Sequence, residues 1–314
     1  MSINKNNKKI RIIFMGTPEF SLPGLRALIA EKDFEIVGVF TQADKPVGRE
    51  QAITPPPVKI LALENNLPIF QPEKIKESLG TIKKLSPDLI VVIAYGKIIP
   101  QNILDVPTYG CLNVHASLLP KYRGAACLNA PILNGDSETG VTIMKMEASL
   151  DTGPILRQAT IKLEGKEKLV DIHDALATLG AEILIPTLKD FIAGKIKPQI
   201  QDDSQASYVK TLRKEDGKIN WQKSATEIER MVRAFNPWPG TYGLDQGKIV
   251  KIISVDSNIL LSNNHEIGEI FLNNGRLAIQ CGQDALVILK LQTAGKKIMT
   301  SEEFWRGNKI KSLS

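Results

Sequence analysis

Cysteine is scarce in this chain: Cys111, Cys127 and Cys281 are the only three in 314 residues. Their odd number and wide spacing suggest neither a disulfide framework nor a zinc site. Each is expected to be a small buried hydrophobe. Long apolar runs are also missing, since none reaches the roughly 18 residues of a spanning helix. The opening MSINKNNKKI is basic but has no apolar stretch ahead of a cleavage site, so a cytoplasmic protein is expected. A third absence concerns nucleotide cofactors. The turn GTPEF at 16–20 has neither the three glycines of a dinucleotide fingerprint nor the Gly-Lys-Ser/Thr of a P-loop.

What is present is an ordinary globular composition, 43% hydrophobic and 24% charged, which argues against disorder. The length is enough for two domains. Net charge is +6, and its distribution is uneven: residues 1–207 hold 24 basic against 23 acidic side chains, residues 208–314 hold 16 against 11. A basic excess lying mainly in the second part fits contact with a polyanion, although a solvated lysine face would have the same composition.

In chain order, residues 9–16 (KIRIIFMG) read as a buried parallel strand. Thr17 and Pro18 are placed to cap and open a helix, with Phe20, Leu22, Leu25, Leu28 and Ile29 as its apolar face. A strand at 35–42 completes the strand–helix–strand unit that starts a doubly wound sheet. A polar loop then runs to Pro57, carrying Lys45, Gly48, Arg49 and three consecutive prolines; loops of this length are functional or disordered. Beyond it come a helix at 58–66, a short strand at 68–70, helical turns at 75–85 and the buried strand DLIVVIAY at 88–95. Residues 125–134 read as helix, 140–147 and 153–165 as strands, and 169–192 as a long helix bearing His173 as a surface or packing residue.

The most informative stretch is GCLNVHASLLPKYRG at 110–124. Here a strand ends in Asn113, His115 and Ser117 at alternate positions, which a strand projects to one side. One histidine at a strand end reads by itself as a structural group satisfied locally. Asp151, in the turn LDTG, reads by itself as a turn former. Brought together, the carboxylate would favour the charged imidazole and fix which ring nitrogen carries the proton. Ligands in open α/β sheets bind at such strand ends.

Residues 193–207 are polar and read as a linker. After it, a helical pattern at 225–234 leads into FNPWPG at 235–240, which reads as a docking surface between domains rather than a ligand contact. The short alternating segments KIVKIISV, EIGEIFL, RLAIQC and ALVILKLQ have the spacing of an all-β barrel.

Asn113, His115, SLLP at 117–120, RGAA at 123–126, ETG at 138–140 and LDTG at 150–153 together resemble the folate-dependent formyltransferases. The likeness continues in FMGTPEF, FTQADKPVGR, VVIAYGKIIP, FNPWPG and AGKKIM, in register over nearly the whole chain. Within that family it is most similar to the branch acting on methionyl initiator tRNA. The resemblance implies an α/β fold: a Rossmann-like, doubly wound formyltransferase domain at 1–192, the linker, and a smaller OB-like β-barrel domain at 208–314.

The resemblance further implies transfer of a formyl group from 10-formyltetrahydrofolate, a co-substrate, to the methionine amino group on initiator tRNA, without a metal. Asn113 and His115 would stabilise the oxyanion of the tetrahedral intermediate. Asp151 would hold His115 charged and help remove the amine proton. Ser117, Leu118, Leu119 and Pro120 would line the folate site, with the backbone of Tyr95 and Gly96 against the pterin. Lys45 and Arg49 would reach the acceptor stem, and Lys210, Lys214, Lys218, Lys296 and Lys297 the phosphate backbone. A monomer free of membranes is expected.

Departures from the family pattern stand at Cys127-Leu128-Asn129, where relatives show Pro-Ile-Gln, at Lys45, where Arg is common, and at Ser149, where Gly is common. The first lies beside the expected site. Two other readings compete: a formyltransferase of the same superfamily acting on a sugar nucleotide or glycinamide ribonucleotide, and a tRNA-binding protein without catalysis. The carboxy-terminal barrel and AGKK weigh against the former.

Overall fold

The computed structural model describes residues 9–48, 50–307 and 310–314. It contains two compact units. The first comprises Met1–Gly124, Thr139–Ile161 and His173–Val209, and the second Ala125–Glu138, Lys162–Ile172 and Lys210–Ser314.

The strands met first along the chain are β1 (Ile10–Gly16), β2 (Phe34–Phe40), the hairpin β3 (Lys45–Val47) and β4 (Ala52–Thr54), and β5 (Ile69–Phe70). They are followed by β6 (Leu89–Ile93), β7 (Cys111–His115), β8 (Arg123–Gly124), β9 (Glu138–Lys145), β10 (Ile155–Lys162) and β11 (Tyr208–Val209). Seven of them form one sheet in the order β10-β9-β7-β6-β1-β2-β5. Strands β5, β2, β1, β6 and β7 are parallel, and β9 turns antiparallel against β7. Every residue of LIVVI in β6 is buried, as expected of a central strand covered on both faces. At the edge, β10 alternates between more and less exposed positions, the pattern of a strand with one covered face. The sheet therefore has the doubly wound arrangement anticipated from the sequence.

Local differences have physical causes. Thr17 does not cap a helix, because its hydroxyl donates to the Tyr95 carbonyl at 3.0 Å. A 3-10 turn, Glu19–Ser21, precedes the helix Leu22–Ala30 instead. The helix expected over 125–134 is confined to Ala130–Asn134. Residues 193–207 do not hang free: Ile155 and Gln199 exchange both backbone hydrogen bonds, each 2.8 Å. The residues read as linker thus line the first unit.

In the second unit, the helix Ala225–Phe235 starts with a capping box, in which Ser224 and Glu227 bond each other's backbone. Strands β12 (Thr241–Asp245), β13 (Lys248–Val255), β14 (Ile270–Asn273), β15 (Arg276–Gln280), β16 (Ala285–Thr293) and β17 (Met299–Thr300) follow. Their order is β12-β13-β16-β15-β14, with β17 beside β16, and the pairings are antiparallel. The final residues close the ring. Ser314 exchanges backbone bonds with Leu244 of β12, while Lys311 and Leu313 bond Ile270 and Gly268 on the β14 side. These bonds cover part of the edge of each outer strand. Inside lie Trp221, Ile228, Val250, Ile279, Leu286 and Phe304. All three cysteines are buried. Burial pushes the Cys111 and Cys281 thiols up to about 12.

Candidate active site

The carboxyl ends of β6 and β7 lie side by side, with Asn113 registered opposite Val92 on one flank and Met144 on the other. Asn113 and His115 point to one side of β7 by strand alternation. Asn113 is half-buried, and its amide has no hydrogen-bond partner among the described residues. His115 is 6% exposed. Its Nε2 lies 3.0 Å from the Tyr122 carbonyl. A carbonyl only accepts, so Nε2 carries a proton.

The other imidazole nitrogen, Nδ1, stands 3.7 Å from Asp151 Oδ2. That distance suits an ion pair with a charged imidazole but is too long for a hydrogen bond. Asp151 Oδ2 instead accepts from the Gly124 backbone N–H at 2.8 Å. Residues 36 positions apart in sequence thus meet because β9 leaves the site and the turn after it comes back.

Two glycines make this approach possible. A Cβ on Gly153 would sit 1.7 Å from the Lys145 carbonyl oxygen, so no side chain fits there. Gly124 has φ +111, and its Cβ would lie 2.3 Å from the Val209 carbonyl oxygen. Asp151 itself adopts φ +53, a left-handed conformation that Asp tolerates better than most residues.

Ser117 does not extend the row begun by Asn113 and His115. It lies beyond β7, fully buried, and its hydroxyl donates to the Lys121 carbonyl at 2.6 Å. Leu119 is buried as well, while Leu118 and Pro120 remain half-exposed. Thr142 holds this segment, donating to the Ser117 carbonyl and accepting from the Leu119 N–H. Gln158 adds a bond to the Leu119 carbonyl at 2.9 Å. Tyr95 is buried, its hydroxyl without a hydrogen-bond partner among the described residues, and burial pushes its pKa up to about 12. The Tyr95 carbonyl accepts from Thr17 and Gln42. Gly96 beside it has φ +76.

Three further groups of side chains support the site. Gln42 links Tyr95 to Lys45, whose Nζ donates to it at 2.7 Å. Ser207 binds the Tyr122 N–H through its hydroxyl and the Arg123 N–H through its carbonyl, ahead of the parallel pairing of β8 with β11. Gln201, 7% exposed, donates to the carbonyls of Asp151 and Gly153. An amide in a polar linker carries no periodic signal that would mark it as buried. Arg123 is 1% exposed. Burial alone would favour loss of its charge, but bonds to Asp203 and Tyr208 outweigh that and raise its pKa.

Asn129, one of the departures from the family pattern, is buried and donates to the Ala234 carbonyl at 2.7 Å. Lys45 is exposed on β3, and Arg49 lies outside the described residues. Lys210, Lys214, Lys218, Lys296 and Lys297 are all exposed in the second unit. No helix among the described residues is long and apolar enough to cross a membrane.

Comparison with known proteins covers both units. The model of the family described as "Formyl transferase" matches residues 8–188, and that of "Formyl transferase, C-terminal domain" matches 211–309. A methionyl-tRNA formyltransferase of Geobacter sulfurreducens is 46% identical over 305 residues, covering 96% of this chain and 95% of that protein. One from Citrifermentans bemidjiense is likewise 46% identical, covering 96% and 94%. Among solved structures, an N-formyltransferase from Helicobacter canadensis, in complex with folinic acid and dTDP-3-aminofucose, superposes with a TM-score of 0.67. It is 18% identical and covers 90% of this chain and 99% of its own, a likeness of fold.

Proposed function

The chain belongs to the formyl transferase family, and we propose that it moves the formyl group of 10-formyltetrahydrofolate onto the amino group of methionine carried by initiator tRNA. The observation that carries this reading is likeness along 96% of the chain to proteins named for that reaction. In the reaction, the amine nitrogen bonds to the formyl carbon and the carbon–nitrogen bond to the folate breaks. The amine gives up a proton, and tetrahydrofolate leaves with one on its nitrogen.

Attack makes the formyl oxygen an oxyanion, which needs donors already in place. Asn113 supplies its free amide. His115 supplies Nδ1–H, the ring position not committed to Tyr122. Asp151 balances the imidazolium charge from 3.7 Å and, through water, receives the amine proton. Residues 117–120 and the backbone at Tyr95 and Gly96 border the folate, and no metal takes part. The half-exposed Leu118 and Pro120 are the members of that segment open to a ligand.

In this reading catalysis belongs to 1–192, with 193–207 leading to the tRNA-contacting part, 208–314. Lys45 and Arg49 meet the acceptor stem. Lys210, Lys214, Lys218, Lys296 and Lys297 meet backbone phosphates. The protein works as a monomer in the cytoplasm, away from membranes. The test is formylation of methionyl initiator tRNA beside an amino-sugar nucleotide and glycinamide ribonucleotide, with 10-formyltetrahydrofolate as donor. Formyl incorporation into the tRNA alone is expected. Incorporation only into a small amine, or none at all, would refute the proposal.

A further inference from the structure

Asp151 reaches His115 from a turn in a left-handed conformation, φ +53. The groups that hold that turn decide where its carboxylate stands. Its two carbonyls, those of Asp151 and Gly153, accept from Gln201 Nε2 at 2.8 and 2.7 Å. On the opposite side of the same amide, Gln201 Oε1 accepts from Arg123 Nε at 3.1 Å and Nη2 at 2.9 Å. Both amide hydrogens and both oxygen lone pairs are therefore used. The orientation is unambiguous, because guanidinium only donates and carbonyls only accept.

Arg123 is in turn fixed by Asp203 Oδ1 at 2.7 Å and the Tyr208 hydroxyl at 2.8 Å. The residue next to Arg123 is Gly124, whose N–H holds Asp151 Oδ2 at 2.8 Å. A frame buried at Gln201, Arg123 and Gly124 and anchored by the exposed Asp203 and Tyr208 thus grips the turn by its carbonyls and its carboxylate together. We propose that Gln201 is a positioning residue for catalysis, setting the Asp151 carboxylate against His115 by clamping the turn to Arg123. This rests on the role given to Asp151 above. The residue acts through Asp151 and does not touch substrate.

The test is a double-variant cycle on the full-length protein, with methionyl initiator tRNA and 10-formyltetrahydrofolate, read as kcat per folded molecule. Gln201→Glu keeps an acceptor for Arg123 but replaces both donors to the turn by a carboxylate. It is expected to lower kcat roughly 10- to 100-fold, the scale of a misplacement near 1 Å, and to leave KM for either substrate within about twofold. Asp151→Asn lowers kcat by itself. Adding Gln201→Glu to it is expected to cost no more than about twofold further, because residues acting as one unit are not additive. Should Gln201→Glu fail to fold, Gln201→Asn, which keeps the amide but shortens its reach, enters the same cycle.

Wild-type kcat in the single Gln201 variant, or losses that multiply in the double variant, overturns the inference and leaves the functional reading standing. Wild-type turnover in Asp151→Asn overturns the role of Asp151 and this inference with it. Absence of tRNA formylation by the unaltered protein overturns the functional reading itself.

Discussion

The polar groups around the candidate site in the first unit and the lysines assigned to tRNA in the second are placed in opposite ways. In the first, His115 and Arg123 are at least nine-tenths buried, as are Thr142 and Gln201, and each is tied to named partners at hydrogen-bonding distance. In the second, the five lysines assigned to tRNA are exposed and make no ion pair among the described residues. Stabilising an oxyanion requires atoms fixed in advance, since the benefit of a donor lies in not having to reorganise during reaction. Neutralising a phosphate requires charge near a polyanion and tolerates a mobile side chain. A surround of buried, hydrogen-bonded groups suits the first task, and exposure suits the second.

Removing a fixed donor should break this contrast most severely. Asn113→Ala and His115→Ala are each expected to lower kcat by about two to three decades, with the KM for tRNA nearly unchanged. Steady-state formylation kinetics check this, and a change in KM alone would place these groups in binding. Next in size is Gly153→Ala. Its Cβ would fall 1.7 Å from the Lys145 carbonyl oxygen, which demands a backbone shift. A loss of about 3 kcal/mol is expected from overpacking against backbone, measured by urea denaturation, and an unchanged midpoint would show that the turn gives way freely.

A smaller effect is expected in the second unit. Lys296→Ala and Lys297→Ala should each make the plot of log affinity for tRNA against log salt shallower by about one. Their effect should fall on the KM for tRNA, and binding measured across a salt series decides. An unaltered slope removes that lysine from the phosphate contacts. The least disturbance is expected at the thiols. Alkylation proceeds through the thiolate, and burial holds Cys111 and Cys281 protonated up to about 12. From pH 7 to 9 the native protein should leave both unlabelled, whereas denaturant should expose them. Labelling in the native state would mean that these cores open.

Much of the fold was legible because periodicity reports burial directly. The short apolar run LIVVI, followed by Gly96, reads as a strand covered on both faces, and the alternating segments after Thr241 anticipate antiparallel pairing. The row of polar residues was legible only in part. Asn113 and His115 share a face of β7, but Ser117 lies past the last ladder pair, and its hydroxyl is consumed by Lys121. Alternation cannot reveal where a strand ends. Thr17 departs from its expected capping role for a related reason: the Tyr95 carbonyl it binds lies 78 residues away, beyond the reach of a local capping rule.

The amino-acid sequence by itself determined the main strands of the first sheet and the long helix after them, the scarcity of thiols, the family likeness and the candidate residues Asn113, His115 and Asp151. Those follow from side-chain chemistry and short-range spacing, which a linear chain displays. The tertiary structure alone decided that Asp151 stands 3.7 Å from His115 and that Gln201, in a stretch with the composition of a linker, holds the Asp151 turn. Hydrogen bonds between residues 50 positions apart leave no periodic mark, because they depend on where the backbone returns in space.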